Sequence, residues 1–130
     1  MGQEERGRAR RRRVLRWGLL GYLAAMFGAL PLAVPCWNGF LRDSVGRVLT
    51  VEAVHVVQYG GLGWVGAVYG RTMPTISWRW ALAVVLAAAG VLDELVQGRL
   101  PQRVFQWSDV GLNWLGLLLG LTIGVMRHDL

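Results

Sequence analysis

Asp93, Glu94, Gln97, Arg103, Asp109 and Asn113 lie in two otherwise apolar segments joined by a short connection. Ionisable groups are costly at membrane depth, so a cluster of them there points to a functional site. His55 and Tyr59 stand four residues apart on a third apolar segment, with Glu52 just before them. Residues four apart share one helix face. Together these side chains have the makings of acid–base chemistry. Glu94 or Asp109 would be the general base and His55 the acid or its orienting partner. Arg103 would stabilise developing negative charge. No nucleophile stands out: Ser108 adjoins the group without a G-x-S-x-G setting, and Cys36 lies in another connection. A metal-assisted version would recruit Glu94, Asp109 and His55. One His with carboxylates does not select a particular metal, so neither a metal nor another cofactor is expected. The same residues would also serve as a structural network, because buried polar groups must satisfy one another.

The segments that carry them are apolar blocks. Of 130 residues 54% are hydrophobic, and they come in long runs rather than interleaved with polar residues. That pattern excludes a soluble globular core of ordinary type. Four runs, at 17–34, 51–69, 78–96 and 110–126, each have the about 17–20 residues that a helix needs to cross a bilayer. Helices satisfy their own backbone in lipid, so an all-α bundle of four transmembrane helices is predicted. The seven Trp and eighteen Gly fit this class. Between the first two runs, Trp37, Phe40, Leu41, Val45, Val48 and Leu49 recur at helical spacing. A short amphipathic interfacial helix is expected there.

The net charge of +6 is concentrated in seven Arg between Arg6 and Arg16. Such an arm could bind nucleic acid, but beside a hydrophobic span it reads as cytoplasmic retention next to anionic lipid. The chain therefore divides into an Arg-rich cytoplasmic arm, 1–16, and one membrane domain, 17–130. Both termini are expected in the cytoplasm. With a single Cys there is no internal disulfide.

This topology brings the polar residues to one depth. The second helix enters from outside with Glu52, His55 and Tyr59. The third leaves outward with Asp93, Glu94 and Gln97, and the fourth enters with Asp109 and Asn113. Below them run small-residue stripes: Gly63, Gly66 and Gly70; Ala83, Ala87 and Gly90; Gly116, Gly120 and Gly124. Such stripes let membrane helices approach closely. The expectation is a polar cavity near the extracytoplasmic face above a tight inner seam.

The sequence also resembles the VanZ-like family of small bacterial membrane proteins. The resemblance rests on H-x-x-x-Y at His55 and Tyr59, and on D-E-x-x-Q at Asp93, Glu94 and Gln97. It continues with P-x-R at Pro101 and Arg103, and D-x-x-x-N-x-x-G-x-x-x-G at Asp109, Asn113, Gly116 and Gly120. It covers 51–124. Members often carry an acidic–basic pair just before the His, where this chain has Val51 and Glu52. The resemblance implies a multi-pass protein of the bacterial cell membrane with a role in the cell envelope. It also implies a link to resistance to the glycopeptide antibiotic teicoplanin. The expected ligand residues are Glu52, His55, Tyr59, Asp93, Glu94, Gln97, Arg103, Asp109 and Asn113. The expected partners are membrane lipids and an amphipathic ligand, such as a lipid-linked cell-wall intermediate or a lipoglycopeptide. Arg99 and Arg103 suit its phosphate or carboxylate groups. Binding, catalysis and a purely structural role all use these same residues.

Overall fold

The computed structural model of the chain describes residues 3–29, 47–99 and 104–127. Among them there is no strand. Helix α1, Gln3–Ala24, passes into one π-helical turn, Ala25–Ala29; α2 is Arg47–Gly70, α3 is Ile76–Gln97 and α4 is Trp107–Met126. The apolar runs read from the sequence lie inside α2, α3 and α4, and each helix extends a few residues beyond its run. Residues 47–50, assigned above to an interfacial helix, belong to α2 instead. The rest of that segment, 30–46, lies outside the described residues, as do Cys36, Pro101 and Arg103. The Arg-rich arm is helical and continuous with the first apolar run. Arginine is a good helix former. Glu4 and Glu5 sit in the first turn, where the helix dipole favours acid, and Glu4 meets Arg8 at 3.5 Å one turn later.

Among the described residues two helices, α3 and α4, are long and apolar enough to cross a membrane. The other two are more polar: α1 through its arginines, and α2 through Arg47, Glu52, His55 and Gln58 in its first half.

Contacts fix the relative directions. On α1, Tyr22 Oη donates to Gln58 O at 2.6 Å, and Arg8 to Arg16 line a cleft with Val68, Tyr69, Arg71 and Thr72. α1 therefore runs antiparallel to α2. Tyr59 reaches Ala89 and Asp93 while Gly66 faces Leu86, so α3 is antiparallel to α2 as well. α4 is parallel to α2: a Cβ on Gly116 would strike the Val56 backbone, and one on Gly120 the Gly60 carbonyl. At these two positions backbone lies against backbone, and only glycine leaves room. The start of α1 and the end of α4 consequently share one end of the bundle. The starts of α2 and α4 and the end of α3 share the other.

Leu19, Met26, Tyr59, Leu62, Leu86 and Leu117 form the apolar core. The outer surface is equally apolar: Val84, Val85, Leu92 and Leu95 on α3, and Leu115, Leu118, Leu119 and Ile123 on α4, are exposed. The buried polar groups are His55, Asp93, Glu94 and Asn113. Apolar outside and polar within is the inverse of what water selects.

Arg71 closes the Arg-rich end. Its guanidinium donates to Gly124 O and, at 3.2 Å, to Val125 O, so it caps the last carbonyls of α4. Arg71→Ala should cost about 1–2 kcal/mol, as expected for charged hydrogen bonds that are partly exposed. Thermal unfolding in detergent would register it; a variant as stable as the parent would show that this latch contributes nothing.

Candidate functional site

At the opposite end, three helices deliver side chains to one buried level. Two groups there are closed on themselves. Tyr59 Oη, fully buried on α2, lies 3.1 Å from Asp93 Oδ2 and 3.3 Å from Ala89 O on α3. Asn113, fully buried on α4, donates through Nδ2 to Gly90 O at 3.2 Å. Gly90 is itself buried against Tyr59 and Asn113, so a small residue is what lets α3 approach. Just outside, Trp114 Nε1 donates to Ala87 O at 3.0 Å. These bonds tie α3 to its two neighbours.

Asn113 also sets the histidine. Its amide must face Nδ2 to the Gly90 carbonyl, since the reverse would oppose two oxygens. Asn113 Oδ1 is then the atom 2.8 Å from His55 Nδ1, and it can only accept. His55 therefore carries its proton on Nδ1. In the neutral ring Nε2 presents a lone pair, 3.8 Å from Asp109 Oδ2. That gap is too long for a hydrogen bond.

Glu94 completes the group. Gln106 N–H donates to Glu94 Oε1 at 3.1 Å across the connection into α4. Glu94 Oε2 is buried and has no hydrogen-bond partner, alone in this among the described residues. One donor atom from each of His55, Glu94 and Asp109 lies within 4.8 Å of the other two. Asp109 is the one with appreciable solvent contact, its side chain 17% exposed. Ser108 Oγ stands 3.4 Å from its Oδ1.

Of the residues expected at the site, His55, Tyr59, Asp93, Glu94, Asp109 and Asn113 are brought together. Gln97 is half-buried at the end of α3. Glu52 is exposed on α2, and Arg99 is exposed in the turn after α3, so neither joins the buried group. Among the described residues no arginine pairs with any of the three carboxylates; Arg103 is outside them. Sequence reasoning did not anticipate the Gln106 N–H, the carbonyls of Ala89 and Gly90, or Trp114. Backbone partners carry no signature in residue type, because the register between helices selects them.

The arrangement defines its class: a helical bundle with an apolar exterior and a preorganised His–carboxylate group buried at one end. No protein-family model, curated protein sequence or solved structure matches the chain.

Proposed function

We propose that the chain is a VanZ-like membrane protein with four spanning helices, whose buried site faces the extracytoplasmic side and binds or modifies an amphipathic cell-envelope ligand. One observation carries this reading. The site's polar atoms divide into a set closed between helices and one buried atom left open, Glu94 Oε2, beside the pair His55 Nε2 and Asp109 Oδ2. A network that served only to join helices would close every atom, because an unsatisfied buried group costs about 1–3 kcal/mol.

Position supports the orientation. From His55 to Arg71 is about 24 Å along α2 at 1.5 Å per residue, so the site and the Arg-lined cleft sit at opposite ends. Arginine-rich ends are retained in the cytoplasm, which leaves the site outside. The exposed apolar sides of α3 and α4 suit lipid and the tail of a lipid-linked ligand, and the open polar atoms suit its head group. A lipid-linked wall intermediate or a lipoglycopeptide has this chemistry, and the link to teicoplanin rests on the VanZ-like resemblance. Catalysis would use the same three groups, with Glu94 or Asp109 as base and His55, once protonated at Nε2, as acid. The closed pair Tyr59–Asp93 favours a structural role for that half of the cluster.

The test separates these roles. Glu94→Gln and Asp109→Asn should still fold and keep a cooperative thermal transition. They should weaken binding of purified wall precursor by about tenfold or more, equivalent to about 1.4 kcal/mol. Protection against teicoplanin in a susceptible host should fall with them. Variants that bind as the parent does would sink the reading. Variants that unfold would leave only the structural role. Turnover of the precursor would identify an enzyme.

A further inference from the structure

We propose that His55, Glu94 and Asp109 bind one divalent transition-metal ion of the zinc class. The inference rests on taking these three groups as the working part of the site, and it adds the cofactor they would hold.

Each of the three is held by its second atom and leaves one donor free. His55 Nδ1 is engaged by Asn113 Oδ1 at 2.8 Å, which directs the Nε2 lone pair inward. Glu94 Oε1 is engaged by Gln106 N–H at 3.1 Å, which leaves Oε2 buried and unpartnered. Asp109 Oδ1 lies 3.4 Å from Ser108 Oγ, and Oδ2 faces His55. This is the construction that orients ligands in metal sites: a histidine whose other ring N–H is fixed by an oxygen, and carboxylates held by outer hydrogen bonds.

Charge and size agree. A lone pair and two carboxylates converge without a described arginine between them. Ionised carboxylates are costly in a low-dielectric interior, and a cation at the centre of the group would offset that cost. The donors lie within 4.8 Å of one another. An ion central to a triangle of that size would be about 2.8 Å from each corner. Side-chain shifts of about 0.7 Å would bring the donors to the roughly 2.1 Å of zinc–nitrogen and zinc–oxygen bonds. One imidazole with two carboxylates suits a borderline ion rather than Mg²⁺ or Ca²⁺, which prefer all-oxygen shells. Three protein ligands leave a coordination position open, as in catalytic rather than structural zinc sites. Asp109 is the partly exposed ligand, so an anionic head group would reach that position from its side.

The experiment uses the full chain in detergent, stripped with a chelator and titrated with Co²⁺, with Zn²⁺ as competitor. The expected result is one ion per chain, with the visible absorption of low-coordinate cobalt. Affinity should fall about tenfold or more in Glu94→Gln and in His55→Phe. It should be unchanged in Glu4→Gln, an exposed carboxylate at the far end of α1. Chelation of the unaltered chain should also lower its unfolding temperature, and Zn²⁺ should restore it, a measurement that does not depend on the variants folding. Absence of saturable Co²⁺ binding, or binding undiminished in a folded Glu94→Gln, would overturn the proposal. So would an unfolding temperature indifferent to chelator and Zn²⁺. Wall precursor bound equally by metal-free protein would overturn the metal while leaving the proposed function standing. Metal bound without any precursor would do the reverse.

Discussion

A leucine at Gly120 should abolish the folded bundle. A Cβ at this position would strike the Gly60 carbonyl, with the Trp64 nitrogen 2.8 Å away. Both obstacles are backbone, so no side-chain rotation relieves the clash, and α2 and α4 must separate. Overpacking at rigid sites typically costs 1–3 kcal/mol and sometimes more; here about 3 kcal/mol or above is expected. Separation also moves His55 on α2 away from Asn113 on α4, so the site should fail with the seam. Gly111→Leu is the matched control, because that glycine has open space around it. Detergent-solubilised Gly120→Leu should lose its cooperative thermal transition, and Gly111→Leu should keep it. Equal stability of the two would mean that α2 and α4 do not meet through backbone.

The second large effect is expected from Asn113→Leu. The substitution keeps the branched shape but removes both bonds made by the amide. It strands the His55 Nδ1–H in the interior and removes the tie to the Gly90 carbonyl, which keeps its bond within α3. One unsatisfied donor and one lost interhelical bond would cost about 2–4 kcal/mol by the water-based figure, and less if hydrogen bonds between membrane helices contribute about 0.6–1.7 kcal/mol each. The distinctive result is spectroscopic. Nitrogen-15 spectra of the imidazoles should show His55 locked with its proton on Nδ1 in the parent. In Asn113→Leu the lock should be lost. Only two histidines are present, so the assignment is direct. A parent ring that carries its neutral proton on Nε2 would refute the role given to Asn113.

Several features were legible in the residues alone. The apolar runs within α2, α3 and α4 were visible because a long apolar helix leaves an uninterrupted record in the chain. Their shared polar level was visible because alternating direction converts sequence position into depth. The seam of Gly116, Gly120 and Gly124 was visible as a stripe at helical spacing, and all three are buried. The helical state of the Arg-rich arm was not, since a run of charges has no apolar periodicity to announce it.

The inner wiring of the site was hidden for a different reason. Asp93 and Glu94 read as one motif, yet neighbours on a helix point about 100° apart. Asp93 turns to Tyr59 on α2, whereas Glu94 turns to the connection into α4 and to the group formed with His55 and Asp109.

By itself, then, the sequence determined where the apolar helices form, which faces are small and which end of the bundle is polar. These are local properties of hydropathy and helical period. Only the tertiary structure decided that Asn113 sets the histidine, that Tyr59 closes on Asp93, and that Glu94 is left with a free oxygen. Those pairings depend on the sliding register between helices, and glycine backbone contacts along the α2–α4 seam set that register.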